Sequence, residues 1–196
     1  MAGLRITWSM MTPPTVLAAT WDHGVFVLTE GGRRHELAGE AVGELAADGR
    51  GGALAIVGGH SLYRRNSEGE WSCVATSELQ LECSVAVGDV IYVGTEDAHL
   101  LRIHGSGEVE RLAGFDAAPG RESCYAGSVL VDGQLLGPPL AMRSMTATSD
   151  GGVLLANVHV GGISRSTDGS ETWQPTIDVE SDVHEVRART PHVRAS

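Results

Sequence analysis

The chain has 196 residues and a mass of 20.6 kDa; it is 42% apolar and 20% charged, and its 25 Asp and Glu against 14 Lys and Arg set a net charge of −11. That is room for one folded domain, and the composition excludes a disordered or fibrous chain. The acidic balance, with Arg33-Arg34 and Arg64-Arg65 the only adjacent basic pairs, argues against nucleic acid and membrane surfaces as partners.

In chain order, residues 1–20 hold a single Arg, and Thr7, Trp8, Ser9, Thr12, Pro13 and Pro14 interrupt any apolar run. No export signal is read there, so a cytoplasmic location is expected. No stretch approaches the roughly 20 apolar residues that span a bilayer. The first patterned segment is a pair of short apolar runs, 16–20 and 24–28, around a small polar turn, which is the pattern of a β-hairpin. After a run at 42–47 the pair returns at 53–57 and 61–65, starting 37 residues after the first. Runs at 72–76 and 83–87 precede a third pair, 91–95 and 100–103, which starts 75 residues after the first. A run at 109–113 is followed by an insertion, 116–140, containing Pro119-Gly120-Arg121 and Gly137-Pro138-Pro139. A run at 142–148 then leads to the fourth pair, 154–158 and 162–166, starting 63 residues after the third.

No segment holds helical periodicity over about 11 residues. Repeats of about 40 residues with four short strands each predict the blades of an all-β β-propeller. The 26 glycines serve as hairpin punctuation. Taken as a single domain over residues 1–196, the blades fall roughly at 16–41, 42–81, 82–115 and 141–180, four in all. Residues 183–188 read as one more strand. It either starts the next blade of an incomplete larger propeller or closes a small ring beside residues 16–20; an incomplete propeller would leave an edge open to oligomerisation. Cys73, Cys83 and Cys124 are too few and too scattered for a disulfide framework or a zinc pattern and are expected to be buried free thiols.

The most specific motif lies in the fourth repeat, Ser166-Thr167-Asp168-Gly169-Ser170-Glu171-Thr172-Trp173. An Asp there accepts backbone N–H bonds across a tight turn, Gly permits positive φ, and Trp packs beneath the hairpin. The string resembles the Asp-box, or BNR, repeat, Ser-x-Asp-Gly-Gly-x-Thr-Trp, with Ser170 in place of the second Gly. A shortened version, Asn66-Ser67-Glu68-Gly69-Glu70-Trp71, stands in the second repeat, and only the glycines persist in Thr29-Glu30-Gly31-Gly32 and His104-Gly105-Ser106-Gly107. With residues 157–163, 175–178 and 182–186, the motif makes residues 16–188 resemble the Asp-box propellers of the WD40/YVTN/BNR-like group, whose fold the sialidases share. The resemblance implies architecture, with Ser166, Asp168, Gly169, Thr172 and Trp173 in structural roles.

In a propeller, the turn between the second and third strands of a blade opens on the same face as the connection to the next blade. The turns supply Asp22, His23, His60, Asp97, His99 and His159 to that face; the connections supply Glu180, Asp182, His184 and the insertion. A binding or interaction module is therefore expected, with His159, His184, Asp182, His23, His60, Arg121 and Arg143 as ligand-binding candidates. Its partner would be a protein segment, a glycan or a small polar molecule. No pair shows short metal-ligand spacing, so neither a metal nor another cofactor is expected. The alternative is a glycoside hydrolase of sialidase-like or related type, with Asp182 and either Glu185 or Asp116 as candidate catalytic carboxylates. Such a sialidase site needs three arginines, where Arg121 and Arg143 supply two, and a Tyr nucleophile. The sialidase Arg-Ile-Pro string is absent, its nearest counterpart being Leu4-Arg5-Ile6-Thr7. Tyr63 and Tyr92 fall in strand-like runs, which leaves Tyr125.

Overall fold

The computed structural model describes residues 15–124, 129–132, 134–136 and 140–188; Leu4-Arg5-Ile6-Thr7, Tyr125 and Gly137-Pro138-Pro139 lie outside them. Among the described residues the chain is an all-β propeller of four blades. The first contains β1 (Val16–Thr20), β2 (Gly24–Thr29) and β3 (Gly32–Glu36). The second contains β4 (Val42–Ala47), β5 (Ala53–Val57), β6 (Ser61–Arg65) and β7 (Trp71–Thr76), and the third β8 (Leu81–Val87), β9 (Val90–Thr95), β10 (Leu100–Ile103) and β11 (Val109–Arg111). A short helix, α1 (Ala113–Asp116), and a hairpin of β12 (Val129–Val131) and β13 (Gln134–Leu136) occupy the insertion. The fourth blade contains β14 (Met142–Ala147), β15 (Leu154–Val158), β16 (Ile163–Ser166) and β17 (Gln174–Pro175). Every blade is an antiparallel meander in chain order.

The strand pattern follows from position within each blade. All five residues of β5, Ala-Leu-Ala-Ile-Val, are buried, because neighbouring blades cover both faces of the second blade and neither leaves a polar face to solvate. Outer strands are largely open to water, β3, β11 and β17 almost throughout, and on β7 Ser72 and Cys73 are exposed, in contrast to the buried thiol expected at Cys73; Cys83 is buried and Cys124 half-buried. The core is divided among three inter-blade layers. Val25, Val27, Val42 and Ala55 fill the first, Leu54, Ile56, Leu62, Ile91 and Val93 the second, and Tyr92, Leu100, Phe115, Met142, Leu154 and Trp173 the third.

Polar bridges cross the same interfaces. Arg65 of the second blade donates from Nε and Nη2 to both carboxylate oxygens of Glu36 in the first, at 2.7 and 2.9 Å. Arg50 reaches Asp89 between the second and third blades. Arg102 of β10 bonds Glu110 on its own blade and Glu171 on the fourth, at 2.8 and 3.1 Å.

The 166–173 turn joins β16 to β17. Asp168 Oδ1 accepts from Ser166 Oγ at 2.8 Å and from Thr172 N–H at 3.0 Å, while Oδ2 accepts from Thr172 Oγ1 at 2.5 Å. These donors, the Thr172 hydroxyl foremost, hold the Asp168 carboxyl down at about 2. Gly169 and Ser170 have φ of 74° and 75°, so Ser170 occupies the left-handed region that glycine occupies in the resembling motif, held there by burial and by its N–H bond to Ser166 Oγ at 3.0 Å.

Two expected strands are altered. The run at 109–113 pairs only to Arg111 and then turns into α1, where a Cβ on Gly114 would lie 2.0 Å from the Glu171 carbonyl oxygen. Glycine alone lets α1 seat against the 166–173 turn at that distance. Residues 183–188 form no backbone ladder among the described residues. Instead Val186 N–H donates to Ser144 Oγ at 2.8 Å and Ala188 N–H to Thr146 Oγ1 at 3.1 Å, which lays the segment along β14. Pairing with β1, as ring closure requires, is not among the described ladders.

Candidate functional site

In the second, third and fourth blades the turn after the second strand is stitched by backbone bonds to the inter-blade connections. In the second blade Gly58 N–H donates to the Ala41 carbonyl at 2.8 Å, and the Gly59 carbonyl accepts from Leu81 N–H at 2.7 Å. In the third, Glu96 N–H reaches the Gln80 carbonyl at 2.9 Å and Asp97 N–H the Leu140 carbonyl at 2.7 Å. In the fourth, Val183 N–H donates to the His159 carbonyl at 3.0 Å and Val160 bridges Asp182. Turns and connections therefore make one continuous face.

Two features stand on that face. Around the first three blades, Trp21 in the β1–β2 turn is 76% exposed. It borders a cavity of about 280 Å³ whose other walls include Ala41, Gly43, Ile56, Gly58, Leu81 and Glu82. Glu82 supplies a carboxylate to its wall, and exposed Asp22 and Glu40 directly adjoin the lining residues Trp21 and Ala41 in the chain. On the fourth blade, His159, Asp182 and His184 converge. His159 Nε2 is 3.3 Å from Asp182 Oδ1, His184 Nε2 is 3.8 Å from Asp182 Oδ2, and the two rings are 5.3 Å apart.

The remaining residues singled out by sequence are placed apart. The His23 carbonyl contacts the ring of His35, and the His60 carbonyl accepts from Ser77 N–H at 2.9 Å in the second blade. His99 turns to Asp116, with Nδ1 2.8 Å from Oδ1, and Arg111 reaches the other oxygen of that carboxylate at 2.7 Å. Arg121 donates to the carbonyls of Asp97 and Ala98 at 2.6 and 2.8 Å, bracing the insertion against the β9–β10 turn. Arg143 instead lines the central channel with Glu44, Glu185 and Arg187, in a cavity of about 320 Å³. Glu185 accepts from Arg187 at 2.6 Å, whereas Asp182 faces the two histidines.

Trp21 and Glu44 carried no signal beyond their neighbours, an Asp-His turn for one and an apolar strand for the other. Glu44 is half-buried on β4 and accepts from the Ser84 N–H at 3.2 Å and the Ser84 hydroxyl at 2.9 Å. Burial raises its carboxyl to about 7, against the opposing pull of those two bonds. Its folded pKa thus lies above the unfolded value, so the native state holds the extra proton between about pH 4.5 and 7 and stability falls as pH rises through that window. The expected loss is roughly 3 kcal/mol. Glu44→Gln should flatten that limb, leaving the variant more stable than the parent at about pH 8 in urea denaturation; a parent curve flat across the window would contradict this. Asp168 acts in the opposite sense, its contribution being lost only as pH falls below the ordinary carboxylate range toward about 2.

No protein-family model matches the chain, and no curated protein matches it in sequence. Solved structures do match in fold. A structure of YCF48 bound to D1 peptide superposes with a TM-score of 0.60 at 13% identity, over 90% of this chain and 55% of that one. YCF48 from Cyanidioschyzon merolae gives 0.56 at 14% identity, over 91% and 62%. The chain thus spans between half and two thirds of the proteins it resembles. Among the described residues, no helix is long and apolar enough to cross a membrane.

Proposed function

We propose that the protein is an Asp-box-type propeller that binds a basic, extended segment of another protein on the face carrying Trp21. The observation that carries this reading is the exposed indole beside a walled cavity that has Glu82 in its wall and exposed Asp22 and Glu40 next to its lining residues in the chain. Large aromatics exposed at a concave site supply binding energy at little entropic cost, because they have few rotamers to lose. Such carboxylates, on a chain of net charge −11, favour Lys and Arg in the partner and speed encounter more than they tighten the complex. The fold's likeness to a propeller captured with a peptide supports a peptide as ligand. Glycoside hydrolysis of the sialidase type would need Arg121 and Arg143 to converge on one substrate carboxylate, whereas Arg121 braces the β9–β10 turn and Arg143 lines a separate cavity.

Selection from a random peptide library on the purified chain tests this. Enriched peptides should be rich in Lys and Arg, bind more weakly as salt is raised, and lose about tenfold or more in affinity to the Trp21→Ala variant. That side chain is mostly exposed, so the variant should fold as the parent does. Failure to enrich any peptide, or binding indifferent to Trp21, refutes the reading. A fluorogenic glycoside panel should show no turnover.

A further inference from the structure

We propose that His159, Asp182 and His184 form a binding site for a divalent transition cation of the zinc type, with at least one coordination position open to solvent. One ligand atom from each of the three lies within 4.8 Å of the other two. Four ligands about 2.0–2.1 Å from a tetrahedral zinc ion stand about 3.3 Å from one another, and the His159–Asp182 separation is 3.3 Å. The 3.8 Å between His184 and Asp182 closes by a small rotation of side chains that are 81% and 57% exposed.

The backbone that presents these groups is fixed. His159 ends the β15 side of the turn, and Asp182 and His184 lie on the connection leaving the blade. The bridge between Val160 and Asp182, the bond from Val183 N–H to the His159 carbonyl at 3.0 Å and that from Gly162 N–H to the Ser181 carbonyl at 3.3 Å lock the two segments together. Gly162 has φ of 65°, and a Cβ there would stand 2.7 Å from the Asp178 carbonyl oxygen, so glycine is what permits the approach. Behind the site, Asn157 is fully buried and donates from Nδ2 to the Val183 carbonyl at 2.5 Å, anchoring the residue between the two ligands. A rigid support of this kind is what distinguishes a metal site from a chance contact of surface side chains.

The donor set selects the ion. Two imidazoles and one carboxylate suit Zn²⁺, Ni²⁺, Cu²⁺ or Fe²⁺, whereas Ca²⁺ and Mg²⁺ require oxygen-rich cages. Three protein ligands leave a place for water or for an anionic oxygen of a bound molecule.

Isothermal titration of the whole chain, stripped with chelator and then given Zn²⁺, is the test. One equivalent should bind, Mg²⁺ and Ca²⁺ should not compete, and His184→Ala and Asp182→Asn should each weaken binding about tenfold or more. Both positions are mostly exposed, so thermal melts should match the parent. Co²⁺ in place of Zn²⁺ should give visible absorption bands that vanish in the two variants. Absence of a stoichiometric site overturns the proposal, and so does one that survives both substitutions.

Discussion

Replacing Glu36 by alanine is expected to destabilise the protein by about 3–5 kcal/mol, since it leaves the Arg65 guanidinium buried without its counter-charge. The Arg65 and Glu36 side chains are only 7% and 13% exposed, and the pair is bidentate. Glu36 also accepts from the Trp71 indole N–H at 2.9 Å and lies 3.6 Å from Arg34. The Arg65 guanidinium, foremost among these neighbours, holds the Glu36 carboxyl below the usual range. Because the pair joins β3 to β6, its loss loosens the first blade from the second. Urea denaturation measures the effect, and adding Arg65→Met to Glu36→Ala should recover much of it by removing the stranded charge. A loss below about 1 kcal/mol would mean that the pair behaves as a solvated surface bridge.

Trp173→Ala is expected to cost a similar amount, about 3–5 kcal/mol, through a cavity between the third and fourth blades. The indole is 1% exposed, meets Phe115 edge to face with centroids 5.3 Å apart, and donates to the Ser170 carbonyl at 3.1 Å. Trp173→Phe keeps most of the contact but strands that carbonyl, so its effect should be smaller, about 1–3 kcal/mol. Thermal melts separate the two variants. Equal effects would show that the hydrogen bond rather than the volume dominates. Trp71→Ala, at a half-buried position, should cost less than Trp173→Ala.

How far the sequence could be read depended on how local the responsible physics is. The hairpin pairs were visible because strand alternation and turn residues act over a few positions. The 166–173 turn was visible because Asp168 bonds residues within four positions of itself. By contrast, α1 replaced the end of an expected strand because Gly114 seats against Glu171, which no neighbouring residue reveals. Cys73 was expected inside and lies outside, since a short run does not say which of its faces a neighbouring blade covers. Of the candidate ligand residues, His159, Asp182 and His184 are brought together, whereas His23, His60, Arg121 and Arg143 are distributed among separate contacts around the face and the channel.

Local chemistry along the chain was therefore enough to establish the all-β class, the four repeats and the shared face for turns and connections, because apolar alternation and glycine-bearing turns specify blades one at a time. Three-dimensional juxtaposition alone settled which charges clamp neighbouring blades, that Trp21 stands free beside a cavity, that Glu44 holds its proton to near neutrality and that two histidines meet one aspartate. The first three depend on where a blade rests against the next, which is set by the sum of many inter-blade contacts rather than by any motif; the last depends on the backbone bonds that tie the connection leaving the fourth blade to its own turn. Glu36 and Arg65, 29 residues apart in the chain, become partners only when the first and second blades close on their common core.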